Sequence, residues 1–355
     1  MRDAAAVLDD EEALRAADPG GLLASYLRTG DQLLTAYRAA AEQVPPIRGA
    51  ASVTFCAMGG SASAGDVVLG AYGSQLPIPA VTVRGYRVPA HCGPEDVVVC
   101  VSYSGNTEET LSAYAEAVSR GCRVIAVCSG GELADRARAD GTPAVVVPAG
   151  LPQPRAALGA LVGGTLGALR GLVPAEEDIE PAAASVDSVA ERLAPGIDSD
   201  RNLAKAIVSW LEDRIPIVWG SEGVTEAAAF RWKAAFNENA KMPAFASVLP
   251  ELDHHEVAGW TKGWGEHFHL VVLRHEGEYE SVEARVRATL EVIMEDSGLE
   301  MPHEVRAPAG PPLGAGIALM MLGDCASAYH GLARGIDPAP IEAIARVKAR
   351  LAERR

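Results

Sequence analysis

The chain has 355 residues, enough for about two domains. Hydrophobic residues are 48% and charged residues 22%, the balance of an ordinary globular protein with room for a large core. The net charge of −16 argues against a broad nucleic-acid surface, although neutral hydroxyls and backbone amides can still hold a phosphate locally. Six cysteines, at 56, 92, 100, 122, 128 and 325, form no CxxC pair and read as small buried hydrophobes of a reducing cytosol. The opening MRDAAAVLDDEEALRAADPGG is acidic and lacks an apolar signal segment, and no run of about 18 apolar residues exists. The expectation is a cytoplasmic chain with no membrane span.

In chain order, residues 4–18 and 21–42 predict two helices broken by Asp18-Pro19-Gly20-Gly21. Leu22, Leu23, Tyr26, Leu33, Leu34 and Tyr37 mark the apolar stripe of the second. Strands are expected over 52–58, 79–84, 97–101, 124–128 and 144–147. The first runs through Gly59-Gly60-Ser61 into a helix ending near Tyr72, and the third opens a helix after Thr107. Pro152-Gln153-Pro154-Arg155 opens an apolar helix to about Leu172. The segment 173–200 carries prolines, acids and a polar helix, and reads as the boundary between halves.

The second half repeats the scheme. A strand at 215–219 leads through Gly220-Ser221-Glu222-Gly223 into a helix from Val224, then a strand at 268–273 and a helix at 281–297. A short strand around Val305, a nearly all-round apolar helix over 313–334 and an amphipathic helix over 340–353 follow. Strands alternating with helices predict an α/β chain with two doubly wound parallel sheets, the halves a diverged duplication.

Val97 to Leu111, VVVCVSYSGNTEETL, joins a buried strand to a helix start through a turn rich in hydroxyls. Ser102, Ser104 and Thr107 beside unpaired N–H groups make a phosphate cradle; an ordinary helix cap is the plainer alternative. Gly60 and Ser61 in the first Gly-Ser turn would face the same crevice from the neighbouring strand. GxGxxG and GxxxxGK[ST] are absent, which argues against nucleotide cofactors. Arg155 is either a capping or ion-pairing residue or a cation near a developing oxyanion. Arg231, Lys233, Glu238 and Lys241 have the spacing of surface pairs, but Glu238, flanked by Asn237 and Asn239 at a helix end closed by Pro243, could be a general base. Pro250-Glu251-Leu252-Asp253-His254-His255-Glu256 invites a metal, yet neither this run nor His267 and His269 fixes three ligands, and His254 fits a proton shuttle better. The remaining histidines read as structural or surface residues, and Lys348 by itself as a solvated lysine.

MGGSASAGD, SYSGNTEET, QPR at 153–155, FNENAKMPAF, ELDHHEVAGW and DPAPIEAIARVKARL, in that order over about residues 50 to 355, resemble the bifunctional phosphoglucose/phosphomannose isomerases, built of tandem sugar isomerase (SIS) domains. The resemblance implies two three-layer αβα sandwiches at 51–175 and 201–355, a linker at 176–200 and an N-terminal helical extension over 1–50. It implies that Gly60, Ser61, Ser102, Ser104 and Thr107 bind the sugar phosphate. Arg155 would stabilise an enediolate, Glu238 would be the base, and His254 would open the sugar ring from across a homodimer interface. Lys348 would lie near the site, with no metal or other cofactor. Asp253 and His255 depart from the asparagines of the family pattern. The rival readings are a non-catalytic SIS module that senses a phosphosugar, and a glutamine amidotransferase. The latter needs an N-terminal Cys where Arg2 stands.

Overall fold

A computed structural model describes residues 7–354. Two all-parallel sheets carry the architecture. The first has the order β2-β1-β3-β4-β5, from β1 (Val53–Ala57), β2 (Ala80–Val83), β3 (Val97–Ser102), β4 (Arg123–Cys128) and β5 (Ala144–Val146). The second has the order β7-β6-β8-β9, from β6 (Ile215–Ser221), β7 (Phe245–Leu249), β8 (Phe268–Arg274) and β9 (His303–Arg306).

Strand periodicity decides which core each residue joins. Val97, Val99 and Val101 enter a large central cluster, whereas Val98 and Cys100 enter a smaller one on the opposite face. The second sheet divides likewise: Val218, Val271 and Leu273 face the central cluster, and Ile217, Trp219, Leu270 and Val272 an outer one. The outer layers contain α5 (Glu108–Ser119) and α6 (Gly131–Asp140) on the first sheet and α11 (Glu280–Ser297) on the second.

The central layer is helical. It includes α4 (Gly59–Tyr72), α7 (Leu158–Ala168), α8 (Ile179–Arg192), α9 (Leu203–Leu211), α10 (Val224–Asn239) and α12 (Pro312–Ala333). The α12 helix is buried from Leu313 to Leu332, in keeping with its all-round apolar sequence. No helix among the described residues is long and apolar enough to cross a membrane. Within the 173–200 stretch, α8 packs on both α12 and α3 (Thr29–Gln43).

The first helix pair differs from its sequence reading. α1 spans Glu11–Ala17 and is capped by Asp10, whose carboxylate accepts from Ala13 N at 2.9 Å; residues 4–6 of the expected helix lie outside the described residues. The expected 21–42 helix is two, α2 (Leu22–Tyr26) and α3, parted at Leu27 and Arg28, and Thr29 Oγ1 bridges the break by donating to Tyr26 O at 2.7 Å. The extension then lies flat on α7: a Cβ on Gly159 or Gly163 would come within 2.0 and 2.1 Å of the Thr29 and Leu33 carbonyl oxygens. Glycines four apart on α7 let two backbones approach where larger residues would hold them apart. The final helix, α13 (Glu342–Ala352), has no buried residue.

Candidate active site

The order of the first sheet reverses between β1 and β3, the place where such sheets open a crevice at their C-terminal ends. Both helices that start there, α4 and α5, begin without a side-chain cap. Thr107 occupies the capping position of α5, but its Oγ1 lies 2.9 Å from Ser102 Oγ instead. The capping alternative for this hydroxyl therefore fails, and the first N–H groups of α5 are left for an anion. Ser61 Oγ accepts from Tyr103 N at 3.2 Å and so ties the two helix starts together. Ser104 is exposed at the turn, its Oγ accepting from Asn106 N at 3.3 Å. Gly105 makes the turn possible: its φ is +68°, and a Cβ there would stand 1.8 Å from the Gly130 carbonyl oxygen.

Arg155 stands against this cradle. A Cβ on Gly60 would lie 3.2 Å from the Arg155 Cα, so the absence of a side chain at 60 brings the two segments together. The guanidinium is buried and almost fully committed. Nε donates to Asn239 Oδ1 at 2.7 Å, and Nη2 donates to the carbonyls of Pro338 and Ala339 at 2.7 and 2.9 Å. Nη1 remains, 3.4 Å from Glu238 Oε2. One edge of a rigidly held cation thus meets one carboxylate, itself about a quarter exposed (24%), in a cleft of about 1550 Å³ that Gly59, Gly60, Arg155 and Glu238 all line. Of the predicted phosphate ligands only Gly60 lines this cleft; Ser61, Ser102, Ser104 and Thr107 do not, and join it through the Ser61–Tyr103 bond. A base and an oxyanion partner next to the start of α4 suit proton transfer on a phosphorylated substrate.

Beneath this pair lies a buried network that the residue spacing does not disclose. Arg231, expected on the surface, is 5% exposed. Its Nε and Nη2 donate to Asp324 Oδ2 at 3.0 and 2.7 Å, Nη2 also to the Arg155 carbonyl at 2.7 Å, and Nη1 to Ser63 Oγ at 3.1 Å. Burial pushes the Asp324 carboxyl up to about 6 against the pull of Arg231. The signal for the pair is present in the sequence: Asp324 stands alone in an apolar helix, and a buried carboxylate needs a cation. Lys241 is not a surface partner either. It closes α10 by donating from Nζ to the Glu238 carbonyl and to Pro338 O. Burial, with Arg155 nearby, lowers its pKa.

His254 lies exposed in a one-turn helix at Glu251–His254, and Lys348 lies exposed on α13; neither lines the cleft that Glu238 lines. Asp253 is tied to α11 through Thr289 Oγ1 at 2.9 Å and Arg285 Nη1 at 2.8 Å, which sets the direction of this loop. In the second sheet the corresponding turn is occupied by the chain itself. Ser221 Oγ donates to Glu278 Oε1 at 3.1 Å, and Glu278 in turn accepts from Arg274 Nε at 2.7 Å. Ser221 and Glu278 line the same cleft as Glu238, and a carboxylate at this turn disfavours a phosphate there. Among the described residues, no group of three or more His, Cys, Asp or Glu stands together as a metal-binding cluster.

His269 and His303, away from the cleft, are structural. His269 Nε2 lies 3.0 Å from His303 Nδ1, and His303 stacks on Trp210 with ring centroids 3.9 Å apart. Burial, then Arg214 and His303, lower the His269 pKa to about 4. The folded state thus binds fewer protons here than the unfolded chain, so stability present above about pH 6.5 is lost as pH falls toward 4. The loss is on the order of 3 kcal/mol. Calorimetric Tm is expected to drop across that window, and to drop less steeply in His269→Gln; parallel curves for the two proteins would disprove the assignment.

The Bacterial phospho-glucose isomerase C-terminal SIS domain model matches residues 200–351, and the SIS domain model matches residues 47–141. A bifunctional phosphoglucose/phosphomannose isomerase of Caldicellulosiruptor bescii is 33% identical over 311 residues, 85% of this chain and 89% of that protein. The chain belongs to the bifunctional phosphoglucose/phosphomannose isomerase family. A second member of that family, from Aquifex aeolicus, is 32% identical over 88% of this chain and 92% of its own length. Among solved structures, a hypothetical protein from Thermus thermophilus superposes with a TM-score of 0.73 over 97% of this chain and 94% of its own, at 17% identity, a likeness of fold. The SIS segment carries the predicted anion cradle and the C-terminal segment carries Glu238, whereas Arg155 falls between them.

Proposed function

We propose that the chain is an aldose–ketose isomerase that interconverts glucose 6-phosphate and mannose 6-phosphate with fructose 6-phosphate through a cis-enediol. The observation that carries this reading is the meeting of Glu238 and Arg155 Nη1 beside the uncapped start of α4, which Ser61 Oγ ties to the turn before α5. The phosphate sits on the cradle of Gly60, Ser61, Ser102, Ser104 and Thr107, away from the reacting carbons, and fixes their position. Glu238 removes the C2 proton and returns it at C1. The two aldoses differ only at C2, so both give the same enediol. Arg155 Nη1 bonds the oxygen on which charge develops.

Ring opening needs a further acid, which we assign to His254 of a second copy in a homodimer. Its exposure on a loop of this chain, and the wholly unburied α13 that bears Lys348, support such an assembly. The Glu278 carboxylate at the turn after β6 supports one phosphate site per chain, on the first sheet.

The decisive experiment is a panel of aldose 6-phosphates, with and without chelator, read by conversion to fructose 6-phosphate. Turnover of the glucose and mannose esters, unaffected by chelator, is expected. Binding without turnover identifies a sensor instead, and loss on chelation overturns the mechanism above.

A further inference from the structure

The role given to Arg155 requires that its guanidinium be aimed, and one of the groups that aim it is itself held by the N-terminal extension. Tyr26, on the five-residue α2, is fully buried, and its OH donates to Asn239 Oδ1 at 3.2 Å. That oxygen also accepts from Arg155 Nε. The amide's Nδ2 donates to Ser327 Oγ at 2.9 Å and to the Asp324 carbonyl at 3.4 Å. Asn239 is therefore saturated on both ends, and its oxygen can face only the two donors. A buried phenol with this one partner has its hydroxyl for that purpose, since phenylalanine would fill the same space without a polar atom to satisfy.

The turn before α2 lies near the same site, with room for a small side chain at Gly20. A Cβ on Gly20, in the turn before α2, would lie 3.6 Å from Ala339 Cβ and 3.9 Å from Pro152 Cβ. Ala339 supplies one of the two carbonyls that hold Arg155 Nη2, and Pro152 belongs to the segment that delivers Arg155. α2 itself packs on the turn Pro154–Ala157 that contains Arg155, and on α12. So the extension braces the amide on one edge of the guanidinium and packs on the turn that carries Arg155. Nothing in the matched family segments, 47–141 and 200–351, includes these residues of the extension.

We propose that the N-terminal extension is a positioning element of the active site, with Tyr26 acting through Asn239 to direct Arg155 Nη1 toward Glu238. This rests on the isomerase reading for its kinetic consequence but not for its geometry. Burial raises the Tyr26 pKa, so the phenol stays a donor across the working pH range.

The test uses the full chain carrying Tyr26→Phe, with Gly20→Val as a second variant at an exposed position. Two readouts are taken. The first is the 15Nε–1H resonance of Arg155, identified by its loss in Arg155→Lys. The second is the split of kcat against KM for fructose 6-phosphate. In Tyr26→Phe the Arg155 resonance is expected to move and broaden, with kcat lower by about fivefold to twentyfold and KM changed by less than about twofold. Gly20→Val is expected to move the same resonance. An unchanged resonance in both variants overturns the proposal, as does a kcat deficit that disappears well below Tm. If the wild-type protein shows no turnover, the isomerase reading fails and the resonance alone decides whether Tyr26 positions Arg155.

Discussion

Glu238→Gln is expected to lower kcat by about 10³-fold or more, the scale of a general base whose proton transfer has no substitute. The substitution is nearly isosteric, and the amide oxygen can still accept from Arg155 Nη1, 3.4 Å from the present carboxylate. What is lost is the ability to hold a proton. The cradle that binds the phosphate is built from β1, β3 and the starts of α4 and α5, and Glu238 is at the end of α10. Binding of fructose 6-phosphate, measured by titration calorimetry, should therefore survive within a few-fold of wild type, while exchange of the substrate C1 and C2 hydrogens with solvent should cease. A mutant retaining more than about one tenth of wild-type kcat would remove Glu238 from the role of base.

Asp324→Ala is expected to be the most destabilising of the substitutions considered. Asp324 is 1% exposed and Arg231 5% exposed, so removing the carboxylate strands a guanidinium in the central layer. Breaking a buried pair from one side costs about 3–5 kcal/mol. For a chain of this size that corresponds to a fall in Tm of about 4–7 °C. The double variant Asp324→Leu/Arg231→Met, which replaces both charges by apolar side chains, should recover much of the loss, because the penalty is the unpaired charge rather than the missing bond. Activity should not recover with it: Arg231 Nη2 also holds the Arg155 carbonyl, and methionine cannot. Calorimetry on the three proteins, with kcat beside it, separates the two contributions. A single variant that melts within about 2 °C of wild type would show that Arg231 finds another partner.

Glu238 and Arg231 also mark how far the sequence can be read. Glu238 stands out because Asn237, Asn239 and Pro243 surround it at a helix end, a local pattern. Arg231, earlier on the same helix, gives the opposite impression, because i to i+4 spacing says which residues share a helix face and nothing about what covers that face. Its partners Asp324, Ser63 and the Arg155 carbonyl lie 93, 168 and 76 residues away in the chain. Strand β7, absent from the sequence reading, has the same explanation: Phe245–Leu249 is an edge strand with exposed and half-buried residues, and lacks the apolar run of a central one.

The residue pattern alone determined the alternation of strands and helices, the two parallel sheets, and the hydroxyl-rich turn of Ser102 to Thr107. Each of these depends on periodicity or turn chemistry among near neighbours in the chain. Tertiary structure decided whether Thr107 caps its helix or turns to Ser102, and which edge of Arg155 stays open. It also placed a tyrosine from the N-terminal extension against the amide that aims that arginine. Those outcomes turn on which buried donors and acceptors find each other across long stretches of chain, and satisfying such groups is a property of the packed interior as a whole.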